Sequence, residues 1–239
     1  MDVTNLSSIT RGSNARKKIL FALLFGALVL VGDRINFSTI LGAPNQYFTL
    51  FQFFGPVAGG FLGPLVGVVS VLLAEVVSFV LNAKETSALN LLRLTPMLFG
   101  AYYFGVASKK NYAAFVPLAC MALFILHPVG SQVWYYSLYW LIPAAAALFP
   151  SRLFLRSLGA TFTAHAIGST IFLYTIPTAP SLWLTLIPIV AYERLMFAGG
   201  IALSYLALNT LLDKLLSEES HKLIKIDPRY VVTRASLRL

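Results

Sequence analysis

Four ionisable residues lie inside apolar stretches of the sequence: Glu75, His165, Glu193 and Arg194. An ionisable group in an apolar environment is costly unless it meets a partner or a polar cavity. Each of the four is therefore either a structural pair that fixes helix register or a contact to a polar substrate. Adjacent residues point about 100° apart on a helix. We therefore expect Glu193 and Arg194 to reach different helices, with Glu75–Arg194 or Glu193–His165 as neutralising pairs.

A second set of polar and aromatic residues lies where the apolar stretches end, and it includes Gln52, Arg93, His127 and Trp134. The aromatic run from Trp134 to Trp140 is typical of an interfacial belt. It also fits an aromatic-lined ligand pocket with a few placed polar groups. The two sets together are the candidate substrate-binding residues: Gln52, Glu75, Arg93, His127, Trp134, His165, Glu193 and Arg194.

The sequence carries no enzyme signature that assigns a reaction. The metalloprotease pattern HExxH, the nucleophile elbow GxSxG and the phosphate-binding Walker A pattern do not occur. His127, His165 and His221 are too scattered to predict a metal site. We therefore assign no catalytic residue, no metal and no cofactor, and we do not expect an enzyme. Uphill transport by this chain would need an ion gradient or a partner that hydrolyses ATP.

The composition predicts the environment in which these residues work. Of the 239 residues, 58% are hydrophobic and only 11% are charged, whereas a soluble domain carries about 25% charged residues. A helix crosses a bilayer with roughly 20 apolar residues, so the length allows six to eight crossings. We therefore predict an all-α fold, a polytopic transmembrane helical bundle of six to eight helices.

Eight apolar segments are separated by breaks that contain Gly, Pro, Asn or charged residues. A count of six crossings remains open if the short second and third segments form one broken, partly re-entrant unit and another pair merges. The eight segments are Lys18 to Gly32, Tyr47 to Phe61, Gly63 to Leu81, Leu91 to Ala107, Tyr112 to Leu126, Val133 to Phe149, Ser157 to Ile176, and Leu182 to Leu212.

The basic residues predict the orientation. With eight crossings, most of the basic residues fall on one side of the membrane, and the positive-inside rule makes that side cytoplasmic. This group contains Lys17, Lys109, Arg152, Lys214 and their basic neighbours. Both termini are then cytoplasmic. The domain organisation is a basic N-terminal segment over 1–17, a transmembrane domain over 18–212 and a basic C-terminal tail over 213–239. The predicted location is the plasma membrane, as a multi-pass protein.

The net charge of +9 points to the same environment. The basic residues flank the apolar segments, so anionic membrane lipid is the expected partner, and no nucleic-acid partner is predicted. The single cysteine, Cys120, lies within an apolar run and is expected to be a small buried side chain.

The second and third segments contain small residues at four-residue spacing. The pair Gly63–Pro64 is predicted to break this stretch into two helices. Small residues let helix backbones approach closely in a membrane. The surface that they form either packs within the chain or receives a partner subunit. The candidate partner-packing residues are Ala22, Gly26, Ala27, Gly59, Gly63 and Gly67.

Several of these stretches resemble the substrate-binding S components of energy-coupling-factor (ECF) transporters. The resemblance covers about two thirds of the chain. It rests on the polar stretch from Asn45 to Thr49, the Gly-Pro turn and Gly-spaced helix from Gly63 to Ser70, the helix from Leu94 to Gly105, and the closing helix that ends at Leu216.

The resemblance implies an integral membrane protein that captures a vitamin-like small molecule. It also implies a coupling transmembrane subunit and two ATPase subunits as partners, with Ala22, Gly26 and Ala27 matching the family's contact surface for the coupling subunit. Members of the family usually have six helices. The stretch from His127 to Ile176 is therefore added or rearranged material relative to the family's pattern.

Three other functions remain open at this point. One is a structural or assembly subunit of a larger membrane complex. Another is an intramembrane enzyme acting on a lipid or isoprenoid, in which His165, Glu193 and Arg194 would be the polar catalytic groups. The third is a secondary transporter that works alone.

Overall fold

A computed structural model describes residues 25–39, 47–83, 85–106, 111–216 and 224–232. Ala22, Lys84 and His221 therefore lie outside the described residues, as do most of the basic N-terminal segment and the end of the tail. The described chain is predominantly helical. Its helices are α1 over residues 25–33, α2 Phe51–Phe54, α3 Val57–Leu62, α4 Pro64–Leu81, α5 Ala88–Leu92, α6 Thr95–Val106, α7 Phe115–Leu126, α8 Pro128–Gln132, α9 Leu141–Ala147, α10 Leu153–Thr175 and α11 Pro180–Leu215.

The described residues also form short strands and 3-10 segments. Strands β1 (Asn36–Thr39) and β2 (Tyr47–Thr49) pair antiparallel, with Asn36 opposite Thr49. This hairpin was not predicted from the sequence. Within the described residues, 3-10 segments lie at Asn111–Ala114, Trp134–Trp140 and Pro228–Tyr230.

The predicted break at Gly63–Pro64 is present. Helix α3 ends at Leu62, and Gly63 adopts φ 83°, a left-handed conformation that glycine reaches without a steric penalty. Pro64 then occupies the first turn of α4, where its missing N–H costs no hydrogen bond. The chain therefore reverses direction within two residues and packs α4 against α3.

Helices α3, α4 and α6 approach each other through glycine. A Cβ on Gly59 would overlap the carbonyl oxygen of Ala101 in α6, and a Cβ on Gly67 would overlap the backbone of Gly59. Gly59, Gly63 and Gly67 are buried, so they pack within the chain. Gly26 and Ala27 of α1 are not buried and remain on the surface that a partner could reach.

Substituting Gly59 with Val should disrupt this three-helix contact. The new side chain meets backbone atoms, which cannot rotate away, and overpacking of this kind costs on the order of 3 kcal/mol. We expect a large loss of thermal stability in detergent, measured by the unfolding midpoint. A Cβ on Gly199 meets nothing within 4 Å, so the Gly199→Ala control should keep the native midpoint. An unchanged midpoint for Gly59→Val would contradict the close approach.

Helix α10 is the centre of the bundle and packs against α6, α7, α9 and α11. It buries polar residues along most of its length, including Arg156, Ser157, Thr161 and Thr163. The Arg156 Nε donates to the Phe104 carbonyl at 2.7 Å, and its guanidinium lies 4.0 Å from the centre of the Phe104 ring. These polar side chains fit the position of the helix, because neighbouring helices surround it and supply the hydrogen-bond partner of Arg156.

Among the described residues, helices α4 and α11 are long and apolar enough to cross a membrane. Helix α4 turns much of its apolar surface outwards, with Leu65 74% and Val80 68% exposed. The segment Phe51–Leu62 and helix α7 are apolar but shorter. Contiguous exposed apolar faces are rare on soluble monomers and mark membrane or protein contacts.

Part of the C-terminal tail folds back onto one end of the bundle. The Lys225 N–H donates to the Phe61 carbonyl at 2.8 Å, and the buried amide of Asn209 exchanges two 2.9 Å hydrogen bonds with the Asp227 backbone. Tyr230 donates to the Ser151 carbonyl. The bond from Arg229 holds the pKa of the Asp227 carboxyl below its usual range. The ends of α3 and α11 and the start of α10 therefore meet at this end of the molecule.

Candidate functional site

A cavity of about 550 Å³ opens among the described residues between the hairpin and helices α4, α5, α6, α10 and α11. Six of the eight candidate substrate-binding residues line it, although they come from distant parts of the sequence. All four of the ionisable residues found inside apolar stretches are among them. The six are Gln52, Glu75, Arg93, His165, Glu193 and Arg194.

The other two candidates lie outside the cavity lining. The His127 Nδ1 accepts the Val129 N–H at 3.2 Å at the start of α8, and its ring contacts Tyr174. Trp134 is exposed and packs edge-on against Tyr135. These contacts give both residues local structural roles at the surface.

Glu193 and Arg194 form an ion pair with each other, at 3.2 Å between the Arg194 Nη2 and the Glu193 Oε2. Arg194 does reach another helix as expected, because its Nη1 donates to the Thr161 hydroxyl of α10 at 3.5 Å, but the expectation was wrong for Glu193, which meets Arg194 itself and the hairpin. The two long side chains bend towards each other across the angle that separates their Cβ atoms. Both are buried, with Glu193 7% and Arg194 1% exposed, so each charge is compensated where water cannot solvate it.

The hairpin completes the surroundings of this ion pair. The Ser38 hydroxyl of β1 donates to the Glu193 Oε1 at 2.9 Å. The Arg194 guanidinium lies 4.8 Å from the Phe48 ring of β2 and 4.4 Å from the Phe197 ring, within the range of a cation–π interaction. The buried Nε of Arg194 has no hydrogen-bond partner. The pair thus joins the hairpin to α11. The Nε–H of Arg194 remains a donor without an acceptor beside the cavity.

Both ring nitrogens of His165 have hydrogen-bond partners. Its Nδ1 accepts the indole N–H of Trp140 at 3.2 Å, and its Nε2 lies 3.0 Å from the Tyr136 hydroxyl and 3.2 Å from the Ser169 hydroxyl. The indole nitrogen can only donate. The Nδ1 of His165 must therefore be unprotonated, and the expected partner Glu193 is bonded elsewhere.

Asp33, at the end of α1, ties the hairpin to α4. Its carboxylate accepts bonds from Thr49 at 3.5 Å, from Asn82 at 3.1 Å and from Ser78. Asp33 therefore joins the end of α1, the hairpin and α4 at the cavity lining.

Arg93 follows α5 and is half-buried at the cavity. Its Nη1 donates to the Asn90 amide oxygen at 3.4 Å. Within the described residues, no carboxylate lies in ion-pair range of it. The nearby cavity residue Glu85 is exposed.

Sequence reasoning did not single out several residues that line the cavity. Tyr136 lies in the aromatic run from Trp134 to Trp140, which fitted both an interfacial belt and a ligand pocket. The structure divides that run: Trp134 and Tyr135 face outwards, whereas Tyr136 and Trp140 are buried. The four-residue spacing of Tyr136 and Trp140 is the signal that could have distinguished these two buried side chains from their exposed neighbours. The others that were missed, Phe48, Ser169, Phe172 and Trp183, carry no distinctive local signal.

The arrangement suits the binding of an organic molecule through hydrogen bonds and aromatic contacts. Among the described residues, no three His, Cys, Asp or Glu side chains are close enough together to hold a metal ion. Comparison of the chain with known protein families, curated proteins and solved structures finds no match. The geometry of the cavity and its charges are therefore the basis for any function.

Proposed function

We propose that this chain is a polytopic membrane protein that captures a vitamin-like small molecule for uptake into the cell. The observation that carries the proposal is the cavity of about 550 Å³, which gathers buried charged and aromatic side chains. Ligand sites have this size and this mixture of apolar walls and few polar groups. The charged pair Glu193–Arg194 is costly to bury, and a binding role gives a reason for keeping it beside a cavity.

Binding rather than catalysis is favoured by the state of the titratable groups. A general acid or base needs a free position facing the reacting atom. Both nitrogens of His165 are bonded to protein groups, and Glu193 is bonded to Arg194 and Ser38. These bonds position the side chains for recognition.

We further propose eight membrane crossings with both termini in the cytoplasm. The crossings would be α1, the α2–α3 segment, α4, α6, α7, the 3-10 segment with α9, α10 and α11. Helices α10 and α11 have the length of full crossings. The contacts of Lys225 with Phe61 and of Tyr230 with Ser151 support this order, because alternate loops meet at one end.

The orientation can be measured with single cysteines, because the chain has one native cysteine, Cys120, and it is buried. In a Cys120→Ala background, Glu85→Cys should react with an impermeant thiol reagent added to intact cells. Lys214→Cys, at the opposite end, should react only after the membrane is permeabilised. Equal reaction of both in intact cells would contradict the proposed topology.

The proposed partners are a coupling membrane subunit and ATPase subunits. The sequence has no ATP-binding motif of its own, so uptake against a gradient would require energy from elsewhere. The surfaces available to a coupling subunit include Gly26 and Ala27 of α1 and the exposed apolar face of α4.

Capture can be tested without partners. The purified chain in lipid nanodiscs, with no nucleotide present, is incubated with a small-molecule extract of its source cells. After washing, the protein is denatured and the released molecules are identified by mass spectrometry. We expect one class of molecule to be enriched over empty nanodiscs. Enrichment of lipids alone would contradict the proposal and favour a structural subunit.

A further inference from the structure

The three side chains His165, Tyr136 and Ser169 form a cluster at the cavity whose protons can be counted. The Nε2 of His165 contacts both hydroxyl oxygens, at 3.0 Å from that of Tyr136 and 3.2 Å from that of Ser169. Tyr136 and Ser169 both line the cavity and both are buried. Their hydrogen-bonding pattern therefore limits what a ligand can present to them.

The hydrogen bond from Trp140 determines which nitrogen of His165 carries a proton. Because the Trp140 N–H donates to the Nδ1 of His165, that nitrogen has no proton. A neutral imidazole must then carry its proton on Nε2 and donate it to one of the two hydroxyl oxygens. The Nε2 cannot accept a proton from either hydroxyl while this bond exists.

One proton in the cluster has no acceptor within it. The donors are the Nε2–H and two hydroxyl protons. Two hydroxyls can share only one hydrogen bond with each other, and the protonated Nε2 accepts none. If Nε2 bonds to one hydroxyl and that hydroxyl bonds to the other, the last hydroxyl proton must point elsewhere. At least one O–H donor is therefore directed out of the cluster, and both hydroxyls border the cavity.

The backbone of α10 does not take up this proton. Hydroxyls at Thr163, Thr170 and Thr175 donate to the carbonyl four residues earlier in the same helix. Ser169 instead turns its oxygen to the His165 ring. Among the described residues, neither Tyr136 nor Ser169 has a hydrogen-bond acceptor outside the cluster.

The charged side chains beside the cluster determine which kind of ligand acceptor can bind there. Arg194 is compensated by Glu193 at 3.2 Å, so this part of the cavity is electrically balanced. A ligand carboxylate placed at the two hydroxyls would add a negative charge near Glu193, whose own charge is already paired, and a ligand ammonium placed there would point its N–H groups at the outward O–H donor. An uncharged oxygen acceptor satisfies the spare proton without either cost.

The aromatic side chains that line the cavity near the cluster determine which ligand shape fits. The Trp183 ring lies edge-on to Tyr136 with centroids 5.0 Å apart and tilts against Phe172 at 6.0 Å. All three line the cavity, and aromatic walls favour a flat ring. Resting on the proposed capture function, we infer that the ligand is a flat ring compound that presents an uncharged carbonyl oxygen to Tyr136 and Ser169.

Three probes that share one ring but differ in their polar group test this inference: benzamide, benzoate and benzylammonium. Their dissociation constants are measured by ligand-observed NMR on the full chain in nanodiscs. Benzamide should bind at least about tenfold more tightly than the two charged probes. The Tyr136→Phe/Ser169→Ala variant should weaken benzamide about tenfold, because a neutral hydrogen bond contributes about this much.

The matched controls are Tyr139→Phe and Thr170→Val, whose hydroxyls donate to backbone carbonyls instead of contacting the cavity. Both should leave benzamide binding unchanged. Preference for benzoate or benzylammonium would overturn the inference while leaving capture intact. If none of the three probes binds, the inference also fails, and capture is then judged separately by the molecules recovered from the cell extract.

A second measurement needs no change to the cluster. In a His127→Gln/His221→Gln background, His165 is the only histidine, so its ¹⁵N signals are assigned directly. The inference requires a proton on Nε2 and none on Nδ1. A protonated Nδ1, in the neutral or the charged ring, would overturn it.

Discussion

Replacing Arg194 with Met should both destabilise the protein and abolish ligand capture. The substitution leaves Glu193 buried beside the cavity without its guanidinium partner. Breaking a buried ion pair by removing one member costs about 3–5 kcal/mol. We expect this loss in the free energy of unfolding, measured by denaturant titration in mixed micelles. Arg152 is exposed, so Arg152→Met should change the same quantity by less than about 0.5 kcal/mol.

The double variant Glu193→Gln/Arg194→Met separates stability from binding. Removing both charges eliminates the uncompensated carboxylate, so most of the lost stability should return. Capture should not return, because the cavity has lost the donors of Arg194 and the negative charge of Glu193. If the double variant stays as unstable as Arg194→Met, the ion pair is not the source of the effect. If it captures ligand normally, the pair has only a structural role.

Replacing Gly168 with Phe should abolish capture while leaving the fold intact. Gly168 lines the cavity, and a Cβ there would meet only the Pro96 side chain, at 3.8 Å. The ring can therefore enter the cavity without displacing backbone, and it would occupy the space of a ligand. We expect binding at least about a hundredfold weaker, a loss of about 2.7 kcal/mol, with an unfolding midpoint close to the native one.

Gly199→Phe is the matched control for this prediction. Gly199 lies in α11, does not line the cavity, and has open space where its Cβ would be. The variant should capture ligand as the native chain does. Native affinity in Gly168→Phe, with the fold intact, would show that the ligand site lies elsewhere.

The sequence predicted much of the cavity because charge inside an apolar segment is informative. Glu75, His165, Glu193 and Arg194 stood out for their cost in an apolar environment, and all four line the cavity. Which group each would meet was not predictable. Helix geometry gave the angle between Glu193 and Arg194, but the reach of two flexible side chains decided the contact.

Other features depend on tertiary contacts that leave no local signal. The hairpin consists of strands of three and four residues, too short for a periodic pattern, and it is held in place by Glu193 and Arg194 from α11. Gly59 and Gly67 could have faced another subunit or another helix. Small residues serve both purposes equally, so only the packed structure distinguishes them.

The break at Gly63–Pro64 was predictable because both residues restrict the backbone in a way that the local sequence determines. The central position of α10 was not. Its polar residues lower its hydropathy, and the same composition would suit a helix at a water-filled surface. Burial by four neighbouring helices explains why it tolerates Arg156 and His165.

Native mass spectrometry of the unmodified chain, released from nanodiscs into the gas phase, tests the central claim most directly. If the cavity captures a small molecule, the spectrum should show an added mass of one non-lipid compound. That mass should be absent from Gly168→Phe prepared in the same way. A spectrum of the bare chain with lipid adducts only, unchanged after exposure to the cell extract, would contradict the account.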